Sequence, residues 1–159
     1  MSTIRVVWGS GRAPTPMASF DAALKAANIH NYNLVTVSSV IPDDVTVEAV
    51  GTAPDLGPVG NRLTVVEGMA TVSPGADESA AAALAWAQTF SGKGIFYEAS
   101  GTDPEDVRAR VEAGLEAGKA LRDWDFGESH VRVETAEADP EEYVTALVVA
   151  AYGQSDPLV

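Results

Sequence analysis

Apolar positions fall in short runs along the chain, and Gly, Pro and Asp punctuate them. Residues 3–8 (TIRVVW) read as a first strand, which Gly9-Ser10-Gly11-Arg12 breaks as a turn. Thr15 reads as an N-cap with Pro16 in the first turn. The helix runs to about Ala27, with Met17, Phe20, Leu24 and Ala27 as its apolar stripe. Residues 32–41 (YNLVTVSSVI) predict a second strand closed by Pro42, and residues 43–61 a loop with at most a short strand. Residues 62–72 (RLTVVEGMATV) predict a strand bent at Gly68. The Ala-rich stretch 77–90 (DESAAAALAWAQTF) predicts a helix with acids at its positive end. Residues 93–98 predict a short strand. Asp103 and Pro104 start a long helix, with Val107, Val111, Leu115 and Leu121 on one side and an end near Trp124. Residues 129–135 and 142–152 predict the last strands.

The expected order is β-α-β-β-α-β-α-β-β in one domain over residues 1–159, an α/β (α+β) layered sandwich with mixed or antiparallel pairing. A hydrophobic fraction of 46% is enough for a packed core and argues against disorder. No run approaches roughly 18 uncharged apolar residues, so no spanning helix is expected. The stretch from Met1 to Val7 lacks a long apolar segment and a cleavage site, so it reads as strand rather than signal peptide, and the expected location is the cytoplasm.

Charge narrows the partners. Asp and Glu total 23 against 10 Lys and Arg, a net charge of −13. Such a surface repels phosphate backbones and anionic membranes, so neither nucleic acid nor membrane is an expected partner. Scarce lysine (Lys25, Lys93 and Lys119) with abundant acid and alanine suggests a salt-rich cytoplasm, where salt screens the self-repulsion.

Several familiar chemistries drop out. With no Cys there is no disulfide, thiolate metal site or cysteine nucleophile. The two histidines, His30 and His130, are far apart, read as surface or loop residues, and form no zinc motif, so no metal is expected. Gly9-Ser10-Gly11 lacks the third Gly of a dinucleotide fingerprint, and no Ser occupies a Gly-x-Ser-x-Gly elbow.

What stands out is a pair of adjacent hydroxyls, Ser38 and Ser39, inside the apolar run Val37-Ser38-Ser39-Val40-Ile41-Pro42. Taken alone, two strand serines mean little. However, residues 30–42 (HNYNLVTVSSVIP) closely resemble the self-cleavage segment of pyruvoyl-dependent arginine decarboxylases. Three more segments resemble that family in order: residues 14–24 (PTPMASFDAAL), 77–81 (DESAA) and 94–101 (GIFYEASG). The likeness covers nearly the whole chain.

The resemblance implies a specific chemistry. Removing CO2 from an amino acid leaves electrons on Cα that need a sink. A ketone beside a carbonyl, made from the protein's own serine, supplies one without pyridoxal phosphate. Ser39 would be that serine: its hydroxyl attacks the Ser38 carbonyl, and elimination cuts the chain into residues 1–38 and 39–159. The resemblance makes Glu98 the proton donor to Cα, and Glu98 follows an apolar run that would desolvate it as a strand end. Asn33 becomes a processing or binding residue, or otherwise a loop cap. An unbroken strand would hold it roughly 20 Å from Ser39, so a bend or a neighbouring subunit's copy is needed. Met17 and Asp21, four residues apart on one helix, would meet the substrate side chain, and a carboxylate there suits a guanidinium.

The resemblance further implies a homotrimer of cleaved units, a four-layer αββα sandwich, L-arginine as substrate and agmatine as product. Met17, Ser19 and His30 depart from the family pattern around the pocket, which leaves substrate choice more open than reaction type. Alternatives are decarboxylation of another amino acid, or an unprocessed trimeric binding protein of small metabolites.

Overall fold

Valine-rich alternation and buried alanine build two sheets that face each other, each covered on its far side by one helix. The computed structural model describes residues 2–159; Met1, where the signal-peptide comparison began, lies outside them. In chain order the elements are β1 (Ser2–Ala13), α1 (Pro16–Ala26), β2 (Asn33–Thr36), β3 (Val40–Ile41), β4 (Val45–Gly51), β5 (Arg62–Val72), β6 (Ala80–Thr89), β7 (Gly94–Gly101), α2 (Pro104–Ala120), β8 (Phe126–Ala136) and β9 (Tyr143–Tyr152). One sheet has the order β2-β5-β9-β1-β4, with β1/β4 and β2/β5 parallel and the rest antiparallel. The other, β3-β7-β6-β8, is antiparallel throughout.

Three apolar clusters define four layers. Ala23, Leu24 and Ala27 pack with Val7, Leu63, Val65 and Leu147 under α1. Val6, Val66, Val148, Leu84, Trp86 and Phe96 fill the space between the sheets. Val107, Val111 and Leu115 of α2 close on Ala81, Ala83, Ala85 and Ala87 of β6. The α+β class expected from the sequence is present, and so is the αββα layering that the resemblance implies. No helix among the described residues is long and apolar enough to cross a membrane.

Four local expectations are corrected. The Ala-rich stretch is a strand: Ala80–Ala87 are buried on both faces, between the opposite sheet and α2. Helix propensity is a weak prior, and a central strand covered on both sides needs small apolar residues wherever a helix packs close. The Gly9–Arg12 turn is not a turn, because β1 continues through it to Ala13, paired with β9. The glycines serve close packing instead: a Cβ at Gly9 would sit 2.6 Å from the Ala23 carbonyl oxygen, and one at Gly11 the same distance from the Ala22 carbonyl carbon. Residues 43–61 contain β4, a seven-residue edge strand. Leu121, expected on the buried stripe of the long helix, is 80% exposed, and α2 ends at Ala120, short of Trp124.

The expected strand 32–41 is also split, and this places the site. Residues 33–36 pair with β5 in the first sheet, and residues 40–41 pair with β7 in the second. Val37 to Ser39 cross between them.

Candidate active site

The helix that carries Met17 and Asp21 is fixed at its first turn. The Thr15 hydroxyl caps it by accepting from the Ala18 amide at 3.1 Å. Ser19 is fully buried; its hydroxyl donates to the Pro16 carbonyl at 2.7 Å and lies 2.7 Å from the Thr145 hydroxyl of β9. A buried hydroxyl with these partners costs little and pins the helix over the sheet. The opposite side of α1 then presents Met17, 75% exposed, and Asp21, also exposed. The stripe expectation for Met17 is corrected here: Leu24 and Ala27 enter the core, and Met17 faces out.

Met17 and Asp21 line a pocket of about 650 Å³ together with Asn33, Tyr32 and His30. The sequence paired Met17 with Asp21 on one helix and singled out Asn33 apart from them; the fold brings all three to one cavity between α1 and β2. His30 is half-buried in the pocket wall rather than a plain loop residue, and its Nδ1 is buried without a hydrogen-bond partner. Tyr32 is held from both sides, donating to the Gly57 carbonyl at 3.2 Å and accepting from the Leu56 amide at 3.0 Å. The Asn33 amide donates to the Gly60 carbonyl at 2.8 Å, a loop-capping contact.

One further group completes this cavity. Glu67 lines it from β5, half-buried, and burial raises its carboxyl above the ordinary range. Sequence reading passed over it. Its signal was a single carboxylate inside the otherwise apolar run of residues 62–72.

Ser38 and Ser39 lie on the crossing between the sheets. Val37 makes the last bond to the first sheet, its amide donating to the Val65 carbonyl at 3.0 Å. The Ser38 carbonyl then accepts from the Val40 amide at 3.0 Å, and the Ser39 carbonyl from the Phe96 amide at 2.7 Å. The Tyr152 hydroxyl donates to the Val40 carbonyl at 3.0 Å, and burial pushes that phenol up to about 12, so it stays a donor. Ser38 is exposed and Ser39 half-buried, so the segment is anchored at both flanks with its hydroxyls outside the core.

Glu98 lies within β7, opposite Leu84 of β6, two residues beyond Phe96. Successive strand residues alternate, so Glu98 shares the face of Phe96 toward the other sheet. The expectation of a desolvated strand end is corrected: the position is mid-strand and exposed. Asn33 lines the pocket of Asp21, whereas neither Ser38, Ser39 nor Glu98 does. Two half-sites result, one offering a carboxylate-bearing cavity and the other a hydroxyl beside a carbonyl and a carboxylate on the adjoining strand.

The family model "Pyruvoyl-dependent arginine decarboxylase" matches residues 3–157. The chain is 57% identical over 160 residues to a pyruvoyl-dependent arginine decarboxylase of Halobacterium salinarum, covering 99% of this chain and 98% of that protein. It is 33% identical to proteins of the same description from Methanopyrus kandleri (92% of this chain, 91% of that one) and Pyrococcus furiosus (86% and 84%).

Proposed function

The chain belongs to the pyruvoyl-dependent arginine decarboxylase family, and we propose that it cuts itself between Ser38 and Ser39 and converts L-arginine to agmatine and CO2. The observation that carries this is the Ser38-Ser39 turn, tied by the 2.7 Å bond at Ser39 to the strand bearing Glu98.

The residues present fit the chemistry. The Ser39 hydroxyl attacks the Ser38 carbonyl carbon, and the negative charge develops on an oxygen that already accepts the Val40 amide at 3.0 Å. The resulting ester is cleaved by elimination, which frees residues 1–38 with a carboxylate at Ser38 and leaves dehydroalanine at position 39; its enamine tautomerises to an imine, and water replaces the nitrogen, which leaves as ammonia. The pyruvoyl group formed there from Ser39 supplies the electron sink for the carbon that loses CO2. Glu98 holds the proton that this carbon takes up. Asp21 pairs with the guanidinium, and Met17 lies against the aliphatic stem of the substrate. Asn33 orients the substrate or the processing segment once its Gly60 contact is exchanged.

A homotrimer supports this division of labour. Asp21 and Met17 line a cavity that Ser39 and Glu98 do not line. A neighbouring copy brings one chain's cavity to another chain's Ser39 and covers Glu98. The assembled enzyme works in the cytoplasm, on a free amino acid. The net charge of −13 suits a salt-rich cytoplasm, where salt screens the self-repulsion.

Intact-mass spectrometry of protein purified in molar KCl tests the proposal, together with an assay of agmatine and CO2 from arginine without added pyridoxal phosphate. The expected result is two chains, the longer one lacking a free amino terminus, and agmatine production. Ser39→Ala should stay one chain. Borohydride with arginine present should inactivate by attaching substrate at position 39. A single wild-type chain, or an adduct on Lys25, Lys93 or Lys119, would overturn the proposal.

A further inference from the structure

We propose that Glu67 is a second guanidinium-binding carboxylate, which takes the N–H donors of the substrate side chain that Asp21 leaves free. The inference rests on the reading of this pocket as the arginine site and adds a residue to it.

The placement of Glu67 is unusual for an acid. On β5, Leu63, Val65, Glu67 and Met69 alternate toward α1. Leu63 and Val65 are fully buried in the cluster under the helix, and Met69 packs against it. Glu67 therefore follows two core residues on the same face. A carboxylate there is costly unless it meets a partner. Its Oε2 is buried and has no hydrogen-bond partner.

Among the described residues no lysine or arginine lines the pocket, and His30 is its one imidazole. Asp21 reaches it from α1 and Glu67 from β5. Nor does any ion pair among the described residues involve either acid. Two carboxylates from two elements, with no lysine or arginine beside them, make a cavity suited to a cation from outside. A guanidinium presents five N–H donors in a plane. One bidentate carboxylate satisfies two of them, and the remaining ones need acceptors when the group leaves water. Glu67 supplies an open, charged acceptor in a cavity that Phe20, Leu24 and Leu34 also line.

The test compares processed wild type, Glu67→Gln and Glu67→Asp in molar KCl. Agmatine binding is read by titration calorimetry, and KM and kcat for arginine by CO2 release. Glu67→Gln should raise the agmatine Kd and the arginine KM together, by about 10-fold or more. Its effect should fall on KM rather than on kcat. Glu67→Asp, which keeps the charge but withdraws the oxygens, should fall in between, and it carries the test if the Gln variant does not fold. A folded variant with wild-type agmatine affinity would overturn the role of Glu67 alone. Wild-type enzyme that neither decarboxylates arginine nor binds agmatine would overturn both this role and the reading beneath it.

Discussion

The Ser39 carbonyl accepts a 2.7 Å hydrogen bond from the Phe96 amide, which anchors the residue expected to react to the strand that holds Glu98 two positions further on. At about 3.3 Å per residue, Phe96 and Glu98 are separated by about 7 Å along β7. The acid is thus held at a short, fixed spacing from the cleavage turn by strand geometry, with no loop between them.

Glu98→Gln keeps the shape at that position and removes the transferable proton. General acids contribute typically about 10²–10⁴-fold, so kcat for arginine should drop by that range. Chain cleavage should proceed normally, since the Ser38 and Ser39 carbonyls are held by the backbone amides of Val40 and Phe96. Denaturing gels beside steady-state kinetics separate the two effects. Poor cleavage with full activity in the matured fraction would assign Glu98 to maturation instead.

Asp21→Asn strips the charge from the outward face of α1 while leaving the helix intact, because Asp21 is exposed and caps nothing. Arginine binding should weaken by about 2 kcal/mol, the scale of a charge-assisted hydrogen-bonded pair. Equal KM values in the two proteins would remove Asp21 from the site.

Gly11→Ala should damage the fold and the pocket together. The new methyl would come within 2.6 Å of the Ala22 carbonyl carbon and the Ala23 amide nitrogen, so α1 must lift from β1. Overpacking of this kind costs about 1–3 kcal/mol. Urea melts in molar KCl should report that loss. KM for arginine should rise as well, since the lifted helix carries Met17 and Asp21.

Burial raises the Glu67 carboxyl in the folded chain, and the sign of its effect on stability follows. Below the unfolded-state pKa the group is neutral in both states and costs nothing. As pH rises, the unfolded chain releases its proton first, and stability is lost until the folded carboxyl has also ionised. Glu67→Gln, which never ionises, should therefore be more stable than wild type at neutral pH, with the advantage fading in acid. Melting curves at the two pH values check this; an equal difference at both would place the charged carboxylate comfortably in water.

Much of the architecture is written locally. Thr15-Pro16 and Asp103-Pro104 start both helices where cap chemistry places them, because a side-chain oxygen and a missing N–H suit the free end of a helix wherever it packs. The valine-rich runs at β1, β5 and β9 are strands for an equally local reason, their branched side chains and their alternation. The Ser38-Ser39 pair, Asp21 and Glu98 were likewise visible as residues in a recognisable order. Tertiary contacts decided the rest. Ala80–Thr89 has the composition of a helix and becomes a strand because α2 and the opposite sheet bury both its faces, an arrangement that rewards small side chains whatever their local preference. Gly9 and Gly11 look like a turn until a helix lies against them. Residues 32–41 split because their two ends find partners in different sheets, and that split leaves the serines on the crossing between them. Glu67 joins Asp21 only because β5 passes beneath α1, a meeting of residues 46 positions apart that no local pattern encodes.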